Sequence, residues 1–173
     1  MLSSVASRLS YSQILRVIGQ FLEKVKPKDF DVELFDHEVV IRFSVVETIP
    51  PLRGKFGGLL GSAPAKTQES TSERRYSMQE IEELDHEGQT KRANANVNAD
   101  FYLLSQTLRT VGTYVNHRNL RLLRLSWDGS RLILQVAGSD GQTKTEEHTV
   151  ASFHDYFLRM YLKRRKHGTA SFA

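Results

Sequence analysis

Three stretches place reactive or ligand-binding side chains close together: Glu83-Leu84-Asp85-His86, Gly54-Lys55-Phe56-Gly57-Gly58 and Lys163-Arg164-Arg165-Lys166. The first holds the Glu-x-x-His spacing that lets two ligands reach one metal from one helix face. Di-iron bundles use that motif twice, with further glutamates on facing helices. Here it occurs once, among other charged residues, so no metal site is expected. The second stretch has the glycines of a phosphate-binding loop. It lacks the Lys-Ser/Thr ending that holds nucleotide phosphates and magnesium, so it reads as a flexible loop. A Gly-x-Ser-x-Gly nucleophile turn is missing. The chain has no cysteine, which removes disulfides, zinc-thiolate sites and cysteine nucleophiles. His148 and His154 belong to different elements without an evident third ligand, and His37 and His117 fall in turns. No cofactor and no catalytic residue is expected, and an enzyme of unrecognised type ranks third among the function classes.

The basic stretch has more weight. Arg159, Lys163, Arg164, Arg165 and Lys166 close the last predicted helix, where they can meet the phosphates of nucleic acid or anionic lipid. Cations at a helix C-terminus also complement its dipole with no ligand at all. The net charge of +4 is unevenly spread: residues 1–100 hold 13 Lys/Arg against 15 Asp/Glu, residues 101–173 hold 11 against 5. Polyanion binding by the basic second half is therefore the alternative function. The same asymmetry also lets the two halves attract each other across an internal interface.

Around these stretches the chain repeats itself. Ser12-Gln13-Ile14-Leu15-Arg16-Val17-Ile18-Gly19 returns 93 positions later as Ser105-Gln106-Thr107-Leu108-Arg109-Thr110-Val111-Gly112, an SQxLRxxG pattern in both places. Phe21 then corresponds to Tyr114 and Leu22 to Val115. After one deleted position, Phe35-Asp36 falls on Trp127-Asp128 and Val40-Ile41 on Leu132-Ile133. Repetition at this scale signals an internal duplication, of 11–46 in 104–138. A glycine inside a helix costs up to about 1 kcal/mol relative to alanine, so its recurrence as Gly19 and Gly112 predicts close backbone approach where the two helices cross.

Apolar spacing supplies the elements. Tyr11, Leu15, Ile18, Leu22 and Val25 form one helical stripe, ended by Lys26-Pro27. Asp31–Phe35 and Val39–Val46 read as strands around the turn Asp36-His37-Glu38. Ser77-Met78-Gln79-Glu80 is a capping-box start for a helix with the thin apolar edge Met78, Ile81 and Leu84, fraying at Gly88. A third helix spans about Asp100 to Val115. Strands follow near Leu120–Trp127, Arg131–Val136 and Thr143–Val150, the last polar and at a sheet edge. A final helix starts near Thr149 and buries Phe153, Phe157, Met160 and Tyr161, and residues 167–173 form a loose tail. Ser77 corresponds to Thr149, Ile81 to Phe153 and Leu84 to Tyr156.

The fold expected is α+β: an internally duplicated helix-strand-strand(-strand)-helix unit, with helices packed on one antiparallel sheet about a pseudo-twofold, in a single domain 1–173. Residues 47–73 depart from this plan. They hold Pro50-Pro51, Gly54, Gly57-Gly58, Gly61 and Pro64, then a polar run, and read as a flexible insertion where the second unit has only the turn Gly138-Ser139-Asp140-Gly141. Within it Arg53, Lys55, Phe56, Leu59 and Leu60 make a basic, apolar cluster that a protein partner or a second copy would cover. The function expected is a non-catalytic interaction module working through that insertion. No apolar run is long enough to cross a bilayer. The first ten residues are serine-rich and free of acids, as a presequence can be, but read as a short leader to the first helix. Absence of cysteine suits the cytoplasm.

Overall fold

The computed structural model describes residues 9–49, 65–92 and 103–168. Helix α1 covers Tyr11–Val25 and buries Ile14, Leu15, Ile18 and Leu22. The Gln13 side chain opens it by accepting the Ser10 amide at 3.0 Å. Lys26 closes it in the left-handed region (φ 53°), its amide donating to the Leu22 carbonyl at 2.8 Å, and Pro27 forbids a further turn. Strands β1 (Asp29–Leu34), β2 (Glu38–Ile49) and β3 (Lys66–Ser77) follow, then helix α2 (Met78–Arg92). After it come α3 (Leu104–His117), β4 (Arg121–Trp127), β5 (Arg131–Ala137), β6 (Thr143–Thr149) and α4 (Val150–Gly168).

The six strands form one antiparallel sheet in the order β3-β2-β1-β4-β5-β6, so β1 and β4 meet at its centre. Alternation divides the sheet. Phe30, Val32, Ile41, Leu125, Leu132 and Leu134 are buried in the core shared with the helices. Asp31, Glu33, Arg42, Glu73 and Arg124 take the other face and pair there, with Arg42 2.9 Å from Glu33 and 3.0 Å from Glu73, and Arg124 2.7 Å from Asp31. An antiparallel sheet with one solvated face reads this way.

The recurring glycines sit where α1 and α3 cross. A Cβ on Gly19 would come within 2.9 Å of the Ser105 amide nitrogen and closer still to its Cα. A Cβ on Gly112 would strike the backbone of Ser12 and Tyr11. The glycine of each SQxLRxxG stretch thus receives the opening serine of the other. The helix starts are exchanged too: Glu23 of α1 accepts the Ser105 amide at 2.6 Å, and Asn116 of α3 accepts the Tyr11 amide at 3.3 Å.

Four expectations need correcting. First, the insertion expected at 47–73 is shorter. Residues 47–49 belong to β2 and 66–73 to β3, paired from Glu38↔Ser77 to Ile49↔Lys66. Glu73–Tyr76 reads from sequence as a stunted third strand, but β3 runs on to Lys66; only its Tyr76 is buried, and an edge strand gains its hydrogen bonds from its neighbour and needs no apolar alternation. Second, the one-position offset expected after the helices does not hold through the two hairpins, although a bulge between Leu122 and Arg124 shifts the register at the start of β4. Leu34 pairs with Val39 and Trp127 with Leu132, so Ile41 corresponds to Leu134, still 93 positions on. A one-residue slip would have set the core residue Ile41 against the outward-facing Ile133. Third, α2 continues through Gly88, whose Cα lies against α1: a Cβ there would meet the Gln20 amide at 3.6 Å. Fourth, residues 167 and 168 are helical rather than tail.

Candidate functional site

Two polar clusters and one projection stand out from this frame. The first cluster lies between α1 and α2. Gln13 and Arg16, one turn apart on α1, face Asp85 of α2. Arg16 Nη2 pairs with the Asp85 carboxylate and donates to its backbone carbonyl at 3.2 Å, and Gln13 Nε2 donates to Asp85 Oδ2 at 3.1 Å. Arg16 is 6% exposed and Asp85 3%, so both charges are taken out of water. The Arg16 Nε donor is buried with no hydrogen-bond partner. Beside the pair opens a cleft of about 650 Å³ lined by Leu9, Gln13, Glu82, Glu83, Asp85, His86 and Glu87. Glu83 and His86, the two ends of the Glu-x-x-His spacing, both line it. Among the described residues no group of three or more His, Cys, Asp or Glu is placed to hold a metal ion.

The second cluster joins α3 to β6. Lys144, Glu146 and His148 alternate along β6 and so share one face. Glu146 Oε2 accepts the Tyr114 hydroxyl at 2.9 Å and lies 3.3 Å from His148 Nε2, while Lys144 Nζ is 2.7 Å from Glu146 Oε1. Burial works to raise the Glu146 pKa, but the hydrogen bonds from Lys144, Tyr114 and His148 outweigh it and bring it down to about 2. Burial, then the bond to Glu146, pushes the Tyr114 phenol above its ordinary value. The Tyr114 ring meets His148, Phe153 and Tyr156 edge-on at 5.5–5.6 Å, and the Arg118 guanidinium stacks over it at 4.8 Å. Through Glu146 and the Tyr114 ring this arrangement joins the edge strand and α4 to α3.

The projection is the far end of β2 and β3. β1 pairs with β2 only as far as Ser44, whereas β2 and β3 stay paired to Ile49↔Lys66. Val45–Ile49 and Lys66–Ser70 therefore form a two-stranded ribbon beyond the rest of the sheet. Val46 is 43% and Ile49 46% exposed there. The ribbon leads directly into residues 50–65.

Of the residues singled out from sequence, Arg53, Lys55, Phe56, Leu59 and Leu60 lie outside the described residues. Arg159 and Lys163 are exposed one turn apart on α4, with Arg159 Nε donating to the Asp155 carbonyl at 3.3 Å. Arg164, Arg165 and Lys166 are on the same helix, their side chains outside the description. Nothing in the sequence reading pointed to Asp85 as a buried partner or to the Glu146 cluster. The available signal was the change from Phe21 to Tyr114, since a hydroxyl added at a core position needs an acceptor nearby.

Comparison with known protein families, with curated proteins and with solved structures found no match. Among the described residues no helix is long and apolar enough to cross a membrane.

Proposed function

We propose that this protein is a non-catalytic binding module: an internally duplicated, pseudo-twofold scaffold that holds the segment between β2 and β3 out to a protein partner. The duplication is supported by strand register. Residues 93 positions apart hold matching places in α1 and α3 and in β1–β2 and β4–β5. Arg74 and Tyr76 match Glu146 and His148 at 72, pairing with Ile41 and Val39 as the latter pair with Leu134 and Leu132. The first unit is longer between its second and third strands, where the offset falls from 93 to 72; a bulge between Leu122 and Arg124 is a further, one-residue departure in β4.

The observation that carries the binding role is the ribbon. Val45–Ile49 and Lys66–Ser70 extend a paired platform beyond β1, and none of these residues belongs to the buried core. Arg53, Lys55, Phe56, Leu59 and Leu60 belong to the segment this platform carries. Loops set on rigid scaffolds are where proteins place their binding residues. Because Lys66–Ser72 pair with β2, the test confines its cut to residues 50–65, replaced by Gly-Ser-Asp-Gly. The shortened protein should melt close to the wild type, since a fourfold change in loop length alters stability by only about 1.2 kcal/mol. It should lose the partner that the wild type captures from the cell of origin. Capture of the same partner by both proteins, or collapse of the fold, would end this reading.

Polyanion binding through Arg159, Lys163, Arg164, Arg165 and Lys166 is the second reading, favoured by the exposure of Arg159 and Lys163 on one side of α4. It requires affinity for DNA or RNA that falls steeply with salt, because each neutralised phosphate releases counterions. Salt-independent retention, or none at low ionic strength, excludes it.

A further inference from the structure

The manner in which α2 is attached differs from that of the other helices. Its body-facing stripe runs Met78, Ile81, Asp85, Gly88, and of these only Ile81 and Asp85 are buried. The remaining described positions face solvent, including Leu84 at 38% exposure. Ile81 and partly buried Met78 supply its apolar contact with the core. Its second fixed point is a carboxylate, received by Gln13 and Arg16 of α1. At the near end the helix is tied independently of that pair. Glu80 accepts the Ser77 amide at 2.7 Å, Ser77 Oγ accepts the Glu80 amide at 3.2 Å, and the Met78 amide donates to the His37 carbonyl at 3.0 Å.

We propose that α2 is a latched arm: it leaves and rejoins the body about the Ser77–Met78 junction, and the buried Arg16–Asp85 pair is the latch. Three features of the contact fit an opening element. An ion pair desolvated on both sides gives back hydration when it parts, so the open state recovers much of what it loses, unlike the parting of an apolar seam. The closed state leaves Arg16 Nε buried without an acceptor, a deficit that opening removes. The cleft beside Asp85 brings solvent to the edge of the pair, so little else must move. Opening bares Gln13, Arg16 and Gln20 along α1, a row of donors hidden by α2 in the closed form.

Native-state hydrogen exchange on the intact protein tests this, because a polar 15-residue helix released from the body is only marginally stable and exposes its amides. In the wild type, amides of residues 82–92 should exchange at least about tenfold faster than those of α1 and α3. Asp85→Ala should speed α2 exchange by about a further hundredfold while leaving α3 and β4–β6 unchanged. Acetate, but not chloride at equal ionic strength, should restore part of the protection in that variant by supplying the missing carboxylate to Arg16. The apolar double variant R16L/D85L should protect α2 at least as well as the wild type. Exchange of α2 in step with α1 in the wild type overturns the proposal, as does a D85A variant that loses protection everywhere or nowhere. Equal effects of acetate and chloride would also overturn it.

Discussion

α2 reaches the body through Ile81 and the Asp85 carboxylate; α4 reaches it through Phe153, buried at 2% exposure, with Tyr156 and His148 around the Tyr114 ring. The two helices follow the same order of elements, and their first core residues, Ile81 and Phe153, are 72 positions apart. Yet they cross different sides of their partner helix. α2 covers Gln13, Arg16 and Gln20, whereas α4 meets Thr107, Tyr114 and His117, with Thr107 Oγ1 3.3 Å from His154 and Tyr156 Oη 3.2 Å from His117. Phe21 and Tyr114, 93 positions apart, meet different surroundings. Phe21 leans on Phe43 and Tyr76 at 5.5 and 5.9 Å and fills its side of the sheet without help from α2. Tyr114 carries a hydroxyl that must find Glu146, and its ring becomes the surface on which α4 rests. One helix is thus attached mainly through aromatic packing, the other through Ile81 and a buried carboxylate held by Gln13 and Arg16.

The comparison breaks most visibly at the two arginines of the repeated stretch. Asp85→Ala frees α2 and should speed exchange of its amides about a hundredfold, about 2.7 kcal/mol at that helix, with the rest of the fold left standing. Arg109 stands at the equivalent place but is exposed, so Arg109→Ala should cost less than about 1 kcal/mol. Equal costs would mean that the second helices are held alike after all.

The helix crossing should respond symmetrically. Gly19→Ala and Gly112→Ala each force a methyl into backbone atoms of the other helix, and overpacking of this kind costs about 1–3 kcal/mol. Thermal melts should place the two variants within about 0.5 kcal/mol of each other. A large difference would show that the reciprocity of the crossing is only geometric.

Tyr114→Phe sharpens the contrast at the sheet by giving the second unit the side chain of the first. Loss of a hydrogen bond to an ionised carboxylate should cost about 1.5 kcal/mol, with α4 amides exchanging faster. Glu146 adds a pH signature. Its pKa near 2 in the fold, against 4.5 ordinarily, means that the unfolded chain takes up its proton first as pH falls. Its stabilisation is complete above about pH 4.5 and is lost between there and pH 2. Glu146→Gln should therefore flatten that portion of the stability–pH curve, read as urea midpoints at pH 7, 4 and 2.5. The smallest effect belongs to the open face: Arg124→Ala, breaking an exposed pair with Asp31, should cost less than about 1 kcal/mol.

Much of this architecture was legible in the residues themselves. Apolar spacing located α1 to its last residue, and the capping box Ser77–Glu80 marked the start of α2, because both signals are local and periodic. Gly19 and Gly112 announced a close crossing, since no other reason recommends glycine at a helix centre. What escaped was set by neighbours distant in sequence. Beyond the stunted strand legible at Glu73–Tyr76, Lys66–Ser72 has no apolar alternation, and it pairs because β2 offers a row of backbone groups. Asp85 looked like one more charge on a polar helix until Arg16, far away in the chain, was brought against it. Gln13 and Arg16 recur as Gln106 and Arg109 in the same SQxLRxxG frame, so the spacing alone does not separate the two pairs. Only the packing of α2 over the first pair, and of α4 elsewhere, buries one arginine and leaves the other in water, because burial is a property of what lies across the gap.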